Sequence, residues 1–406
     1  MNSRQRVASA VNHLHPDRVP IDLGGQAASG INISAYIRLK RFLGMRTENI
    51  RVQDVFAMAA HVEPEVIEYF HTDTMMVPSL CPRFDIPIKE YRPWQLFDGS
   101  PVLVPIGFQP EAQADGSLVL MVGGQAVGKM PKDAFYFSEL ANSTVGTLDS
   151  LVEPPDPERT NFPLFTDEDL RFRQEAAETL FKATDKALIV DVADNLRWNT
   201  SIPNWLYALG VDPTRVDELH EKKSLNLIER FRQLAEAVGP HVDVLAVYQD
   251  LGTQRGEMIS PTMFERFMVP HYKRMFSWIH ENTAWKILFH SCGSIHRLIP
   301  HMIEMGVDIL NPVQVTASNM DPKLLKAEFG DRLVFWGGGA DTQSVLPFGT
   351  PDEVRRQVRE RISILGAGGG FVFAPTQDIQ ADVPPQNLVA MYEAVAEYGQ
   401  YPLEVP

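Results

Sequence analysis

A histidine and a cysteine two residues apart, His290 and Cys292, are the side chains of this sequence best suited to chemistry. They follow an apolar run that predicts a β-strand, and on an extended segment residues two apart point the same way. Imidazole nitrogen and thiolate are preferred ligands of zinc, whose catalytic sites use three protein ligands and keep one position open. A shared metal therefore fits the spacing, while a buried cysteine beside a helix-capping histidine and a nucleophilic His–Cys pair remain alternatives.

Acidic and amide residues also follow the ends of predicted strands. Asp250 could act as a base, a metal ligand or a substrate anchor, or it could cap a helix or pair with Arg255. Gln314 could donate to a ligand or satisfy loop backbone, and Asp341 is a third candidate catalytic residue. The other polar residues at comparable positions are Asp191, Asp194, Asn195, Gln249, Asn311, Gln377 and Asp378. So many polar side chains at strand ends indicate a site there.

A run of three glycines, Gly337, Gly338 and Gly339, follows another predicted strand and is a candidate cofactor-binding segment. No lysine follows it at the spacing of a P-loop, so a phosphate cradle is a weak interpretation. Close approach of backbone to a flat ligand, or a tight turn, fits the run better.

The elements that must position these residues alternate between strands and helices. From Thr166 onward, apolar runs of strand length alternate with helical segments at the spacing of parallel βα units. Adding the apolar runs at residues 19–23 and 75–77 gives about eight strands, the number that closes a TIM-type barrel. We therefore predict one α/β domain over residues 1–406, a (β/α)8 barrel with N-terminal helices. An open doubly wound sheet is the alternative, but no glycine-rich dinucleotide fingerprint follows an early strand.

Two stretches interrupt this alternation. Residues 91–130 contain aromatic and β-branched runs divided by Asp98-Gly99, Asp115-Gly116 and Gly123-Gly124, a pattern typical of antiparallel hairpins. We interpret this stretch as a β insertion in the barrel. Residues 142–163 are rich in Ser, Thr, Pro and Asp and predict a long loop.

The composition excludes several classes of protein. Of 406 residues, 44% are hydrophobic and 22% charged, which is ordinary for a globular core. The chain has 52 acidic and 37 basic residues, which gives a formal net charge of −15. We therefore expect no binding to nucleic acid or membranes. Two cysteines, Cys81 and Cys292, cannot form a disulfide scaffold. With no signal peptide or transmembrane run apparent, we expect a cytoplasmic protein that could form a homodimer.

Several motifs together resemble the uroporphyrinogen decarboxylase superfamily. They are His15-Pro16-Asp17-Arg18-Val19-Pro20, Ser260-Pro261, His290-Ser291-Cys292-Gly293, Asn311-Pro312-Val313-Gln314 and residues 335–343. The resemblance covers nearly the whole chain and implies a TIM-type barrel, with residues 91–130 as an addition. It also implies one of two chemistries, that of the decarboxylases proper or that of the corrinoid-dependent methyltransferases.

Within this superfamily the sequence is more similar to the methyltransferases. The decarboxylases carry an arginine-rich segment after the first Arg-x-Pro and an aspartate after an early strand. Here no arginine-rich segment follows residues 18–20, and the early strand leads into residues 77–79 without an aspartate. The methylcobalamin:coenzyme M enzymes hold zinc through a His-x-Cys pair, matched by His290 and Cys292, and through a later cysteine, whose position carries Gln377. The third ligand could therefore be Gln377, Asp378, Asp250, Glu257 or Cys81, or the site could have lost its metal.

The resemblance implies zinc-assisted methyl transfer between a small methylated substrate and a corrinoid. A partner protein would carry the corrinoid (cobalamin), because no corrinoid-binding segment is visible in this sequence. Two alternatives remain open. One is a metal-independent decarboxylase or lyase that uses Asp250 and His290 as acid and base, and the other is a non-catalytic binder of a corrinoid or tetrapyrrole.

Overall fold

The N-terminal part of the chain supplies helices and the first parallel strand. The computed structural model describes residues 1–122, 124–139, 153–192, 194–197 and 200–403. Its first elements are α1 (Ser3–Val11), α2 (Ile33–Phe42), β1 (Val52–Asp54), β2 (Ala59–Ala60), α3 (Pro64–Tyr69) and β3 (Thr74–Met76). Strands β1 and β2 form a short antiparallel pair, whereas β3 joins the main sheet.

The predicted β insertion is present and is longer than expected. It contains β4 (Tyr91–Gln95), β5 (Pro101–Pro105), β6 (Pro110–Ala112), β7 (Leu118–Val122), β8 (Gln125–Met130) and β9 (Ser138–Glu139). Strands β4 and β5 form one antiparallel pair, and β6 to β9 form a four-stranded sheet, so the strands continue nine residues past the predicted end at residue 130. Of the predicted loop, residues 142–152 lie outside the described residues, and residues 153–163 contain neither helix nor strand.

The C-terminal part alternates strands and helices as predicted. The elements are α4 (Asp167–Ala183), β10 (Ala187–Asp191), α5 (Ile202–Val211), α6 (Pro213–Val238), β11 (Val244–Tyr248), α7 (Pro261–Phe267), α8 (Val269–Asn282), β12 (Lys286–His290), α9 (Ile299–Met305), β13 (Ile309–Asn311), α10 (Pro322–Phe329), β14 (Val334–Trp336), α11 (Val345–Phe348), α12 (Pro351–Leu365), β15 (Phe371–Val372) and α13 (Pro385–Tyr398). Thr166 caps α4, and Thr350 with Glu353 forms a capping box on α12. After Ser260 the chain forms two helices, α7 and α8, because Pro270 cannot continue the hydrogen-bond ladder of α7.

The parallel strands close into a barrel. They are hydrogen-bonded in the order β15-β14-β13-β12-β11-β10-β3. Residues 19–23 fill the gap between the two edge strands: Ile21 pairs in parallel with Phe373, and Asp22 donates its N–H to the Phe373 carbonyl at 2.8 Å. On the other side, the N–H of Asp73 donates to the carbonyl of Ile21 at 2.7 Å. The expected eight-stranded barrel is thus confirmed.

Alternate residues of the strands fill the barrel interior. Small and branched side chains such as Ala187, Ile189, Val244, Ala246, Leu288, Ile309, Val334 and Val372 form one buried cluster with Val7, Ala10 and Val11 of α1. Because side chains alternate between faces along a strand, the next inward positions are Asp191, Tyr248, His290 and Asn311. The carboxyl ends of the strands therefore carry a polar inner layer above an apolar core. No helix in the described part of the chain is long and apolar enough to cross a membrane.

Candidate metal centre

Three side chains with metal-binding atoms meet just beyond the ends of β11 and β12. One ligand atom from each of Asp250, His290 and Cys292 lies within 4.8 Å of the other two. Nε2 of His290 is 3.3 Å from Sγ of Cys292 and 3.8 Å from Oδ1 of Asp250. The register of the two strands pairs Tyr248 with His290, so Asp250 and Cys292, each two residues further on, also meet.

Hydrogen bonds between neighbouring loops fix the backbone of the segment that carries Cys292. Its N–H donates to Oδ1 of Asp250 at 2.9 Å, and the N–H of Gly293 donates to Oε1 of Gln314 at 2.7 Å. Gly293 has a φ of 87°, and a Cβ atom there would lie 2.4 Å from the backbone of Gly252. Gln314 therefore contacts the site through loop backbone, and a glycine at 293 lets the two loops approach.

His290 is buried and is held on two sides. Its Nδ1 lies 2.6 Å from Oδ1 of Asn311, and Nδ2 of Asn311 donates to the carbonyl of Trp336 at 2.9 Å. The ring of Tyr248 lies 5.1 Å from the imidazole, centroid to centroid, and its hydroxyl accepts from the N–H of Ala27 at 3.2 Å. These contacts leave Nε2 as the ring nitrogen that faces Cys292.

Gln377 also reaches the sulfur atom. Its Nε2 lies 2.6 Å from Sγ of Cys292, which places the side-chain amide against the three convergent ligand atoms. The next residue, Asp378, accepts from Nε2 of Gln380 at 2.7 Å. Burial and the negative charge of Asp54 raise the pKa of Asp378 to about 6. Of these two neighbours, Gln377 is the one whose side chain contacts Cys292.

The donor set fits a zinc ion. Burial, followed by the negative charge of Asp250, raises the pKa of the Cys292 thiol. A divalent cation would lower the pKa of this thiol, because it favours the thiolate. The negative charges of the thiolate and the carboxylate would in turn balance the charge of the cation. Sulfur, imidazole nitrogen and carboxylate oxygen are the zinc ligands of known sites. Cys292, His290 and Asp250 together therefore suit this metal.

Three further residues named by the sequence lie apart from these atoms. Asp341 accepts from the N–H of Gln343 at 2.8 Å and from the hydroxyl of Ser344, so it caps the turn before α11. Glu257 accepts from the N–H of Arg297 at 3.2 Å. Cys81 is a free thiol. Among the described residues, the convergent group includes none of Asp341, Glu257 and Cys81.

The glycine run at 337–339 is packed against protein. Gly337 and Gly338 have φ values of 93° and 78°. A Cβ atom at 338 would lie 2.6 Å from the carbonyl oxygen of Val313, and one at 339 would lie 2.2 Å from the ring of Phe373. The close packing of neighbouring loops therefore accounts for glycine at these positions.

Sequence reasoning missed two inward-facing residues of this layer. Asp22 is fully buried and accepts from Thr74 Oγ1 at 2.6 Å and from Trp336 Nε1 at 2.8 Å, tying residues 19–23 to β3 and β14. Tyr248 covers the imidazole of His290. Strand alternation could have found Tyr248, because Val244 and Ala246 precede it at a spacing of two.

Residues 198–398 match the family model described as uroporphyrinogen decarboxylase (URO-D). This segment, just under half of the chain, is similar to that family. The superfamily resemblance expected from the motifs is thus confirmed, and all four residues of the site, Asp250, His290, Cys292 and Gln377, lie within the matched segment. A curated uroporphyrinogen decarboxylase from Psychromonas ingrahamii is 33% identical over 78 residues, which are 19% of this chain and 21% of that protein. The match thus spans about a fifth of that relative's length.

A solved structure shares the fold of this chain. It is described as a methyltransferase from Methanosarcina mazei, is 15% identical, and has a TM-score of 0.61. The alignment covers 98% of this chain and 99% of that chain. At this identity the likeness concerns the fold, and it includes the N-terminal part that lies outside the matched family segment.

Proposed function

We propose that this protein is a zinc-assisted methyltransferase that moves a methyl group between a small methylated substrate and a corrinoid carried by a partner protein. The observation that carries the proposal is the convergence of Asp250, His290 and Cys292 within 4.8 Å at the carboxyl ends of two barrel strands, where TIM-type barrels place their active sites. The family match and the methyltransferase described among the solved structures support the same reaction class.

In this proposal the chain's own side chains hold the metal and leave one side accessible. The ligands are Nε2 of His290, Sγ of Cys292 and a carboxylate oxygen of Asp250. The side chain of Gln377, which contacts Sγ of Cys292, lies beside them. The Asp250 side chain is 42% exposed, so substrate would approach from that side. When bound, zinc supplies Lewis-acid activation of a thiol, oxygen or nitrogen that gives or takes the methyl group.

The charges around the site support methyl transfer over decarboxylation of a porphyrinogen. Burial raises the pKa of Asp191 and of Asp378, and the charge of Asp54 adds to the effect on both, while Arg173 and Arg83 oppose it at Asp191. Arg83 lies among them, with Nε 3.7 Å from Oδ2 of Asp54. A porphyrinogen bears several carboxylates and would need clustered arginines, whereas the carboxyl groups of Asp54, Asp191 and Asp378 lie near one another here.

The reaction itself is the test of this proposal. Zinc-loaded protein is incubated with cob(I)alamin and a panel of methylated thiols, ethers and amines, and methylcobalamin is followed by its absorbance. We expect methylcobalamin with at least one donor class for the wild type and for Cys81→Ala, which removes the cysteine outside the site, but not for Cys292→Ala. Release of carbon dioxide from uroporphyrinogen without any corrinoid, with no methyl transfer from the panel, would contradict the proposal.

A further inference from the structure

We propose that Asn311 is a positioning residue that fixes the tautomer of His290, so that the unprotonated nitrogen is the one facing Asp250 and Cys292. This inference rests on the proposed function, since it concerns the atom through which His290 would bind a metal. It assigns to Asn311 a role that acts through His290 and involves no contact with substrate.

The orientation of the Asn311 amide follows from its second partner. A backbone carbonyl only accepts hydrogen bonds, so the atom 2.9 Å from the carbonyl oxygen of Trp336 must be the amide nitrogen of Asn311. The amide oxygen then faces Nδ1 of His290 at 2.6 Å. The opposite orientation would place two acceptors against each other at Trp336.

The tautomer of His290 follows from the amide. An amide oxygen can only accept, so Nδ1 of His290 must carry the hydrogen, and in the neutral ring Nε2 then holds the lone pair. Asn311 is 1% exposed and His290 7% exposed, so water does not readily replace this partner. Nε2 is the nitrogen 3.3 Å from Sγ of Cys292.

Three adjacent strands hold this arrangement. His290 on β12 lies opposite Asn311 on β13, and Trp336 ends β14. The residue after Trp336 is Gly337, where a Cβ atom would lie 3.4 Å from Nδ2 of Asn311. Histidines that bind metals commonly donate their other N–H in this way, and removing such partners weakens metal binding about 10- to 100-fold.

The test begins with the ring nitrogens of the metal-free protein. In protein labelled with 15N at histidine, the NMR signals of His290 are identified by their loss in His290→Gln. We expect Nδ1 to carry the hydrogen in the wild type and in Asn311→Asp, which keeps an acceptor for Nδ1 although it loses the hydrogen bond to the Trp336 carbonyl. Asn311→Leu should shift the ring toward the form protonated at Nε2.

Zinc affinity, measured by competition with a chelator, supplies the second readout. We expect Asn311→Leu to bind zinc about 10- to 100-fold more weakly than the wild type, and Asn311→Asp to recover most of that loss. A wild-type ring protonated at Nε2 would overturn the inference without any variant, and so would unchanged tautomer and affinity in Asn311→Leu. Should Asn311→Leu not fold, Asn311→Ala serves in its place.

Failure of this inference and failure of the proposed function are distinguishable. Normal tautomer and zinc results with no methyl transfer would refute the proposed function and leave the role of Asn311 intact. Methyl transfer by a wild type whose His290 is protonated at Nε2 would refute the role of Asn311 and leave the proposed function intact.

Discussion

Replacing Asp250 by asparagine should lower both the pKa of the Cys292 thiol and the affinity of the site for zinc. Oδ1 of Asp250 accepts the N–H of Cys292 at 2.9 Å, and an asparagine carbonyl can keep this hydrogen bond while the charge is lost. The carboxylate lies within 4.8 Å of Sγ, which corresponds to roughly 3 kcal/mol of charge repulsion at an effective dielectric constant of about 20. That is about two pKa units.

Solvent exposure of Asp250 weakens this repulsion between its carboxylate and the Cys292 thiolate. Because 42% of the Asp250 side chain is exposed, solvent screening leaves about one unit. In metal-free protein, Asp250→Asn should therefore lower the pKa of the Cys292 thiol by about one unit. In the same variant, zinc affinity should fall, because a neutral amide replaces an anionic ligand.

The assay measures alkylation of Cys292 by iodoacetamide against pH, in a Cys81→Ala background so that a single thiol reacts. Chelator competition gives zinc affinity for the same proteins, and thermal unfolding confirms that both are folded. A purely structural Asp250 predicts a lower thiol pKa with unchanged zinc binding. A thiol pKa that stays constant or rises would refute the geometry on which the calculation depends.

Three other substitutions test separate parts of the account. Burial lowers the pKa of His220 to about 4, against about 6.5 in the unfolded chain. The contribution of the neutral ring to the free energy of unfolding is therefore fully present above pH 6.5 and falls by about 3 kcal/mol toward pH 4. Urea unfolding should show a smaller difference between pH 7 and pH 4.5 in His220→Asn than in the wild type. Gln377→Cys adds a second thiolate beside Cys292 and should raise zinc affinity at least tenfold, measured by chelator competition. Asp22→Leu leaves the buried donors of Thr74 and Trp336 unpaired and should lower the free energy of unfolding by about 2 to 6 kcal/mol, while the conservative Asp22→Asn should cost less.

The fold was largely predictable because its signals are local. Apolar runs, proline at helix starts and caps such as Thr166 and Thr350 lie within a few residues of the features they specify. The strand at residues 19–23 was also expected, although its closure of the barrel depends on pairing with Phe373, far away in the sequence. The last strand of the insertion, at 138–139, is too short to give a pattern in the sequence.

The candidate site was predictable only as far as strand ends could be recognised. His290 and Cys292 share a strand direction, and Asp250 occupies the corresponding position on the neighbouring strand, so their convergence follows from alternation and order. The choice between Gln377 and Asp378 depends on how the loop after β15 turns. The contact between Asn311 and His290 depends on the register of β12 and β13. Neither is encoded in the spacing of residues along the sequence.

The coordination of zinc in the purified protein tests the central claim most directly. Metal analysis and zinc X-ray absorption spectroscopy are applied to the wild type, Cys292→Ala and Cys81→Ala, all prepared without chelator. The account predicts about one zinc per chain with a single sulfur ligand and nitrogen or oxygen for the rest, unchanged in Cys81→Ala and without sulfur or metal in Cys292→Ala. Wild-type protein that contains no zinc and takes none up, or a sulfur ligand that persists in Cys292→Ala, would contradict it.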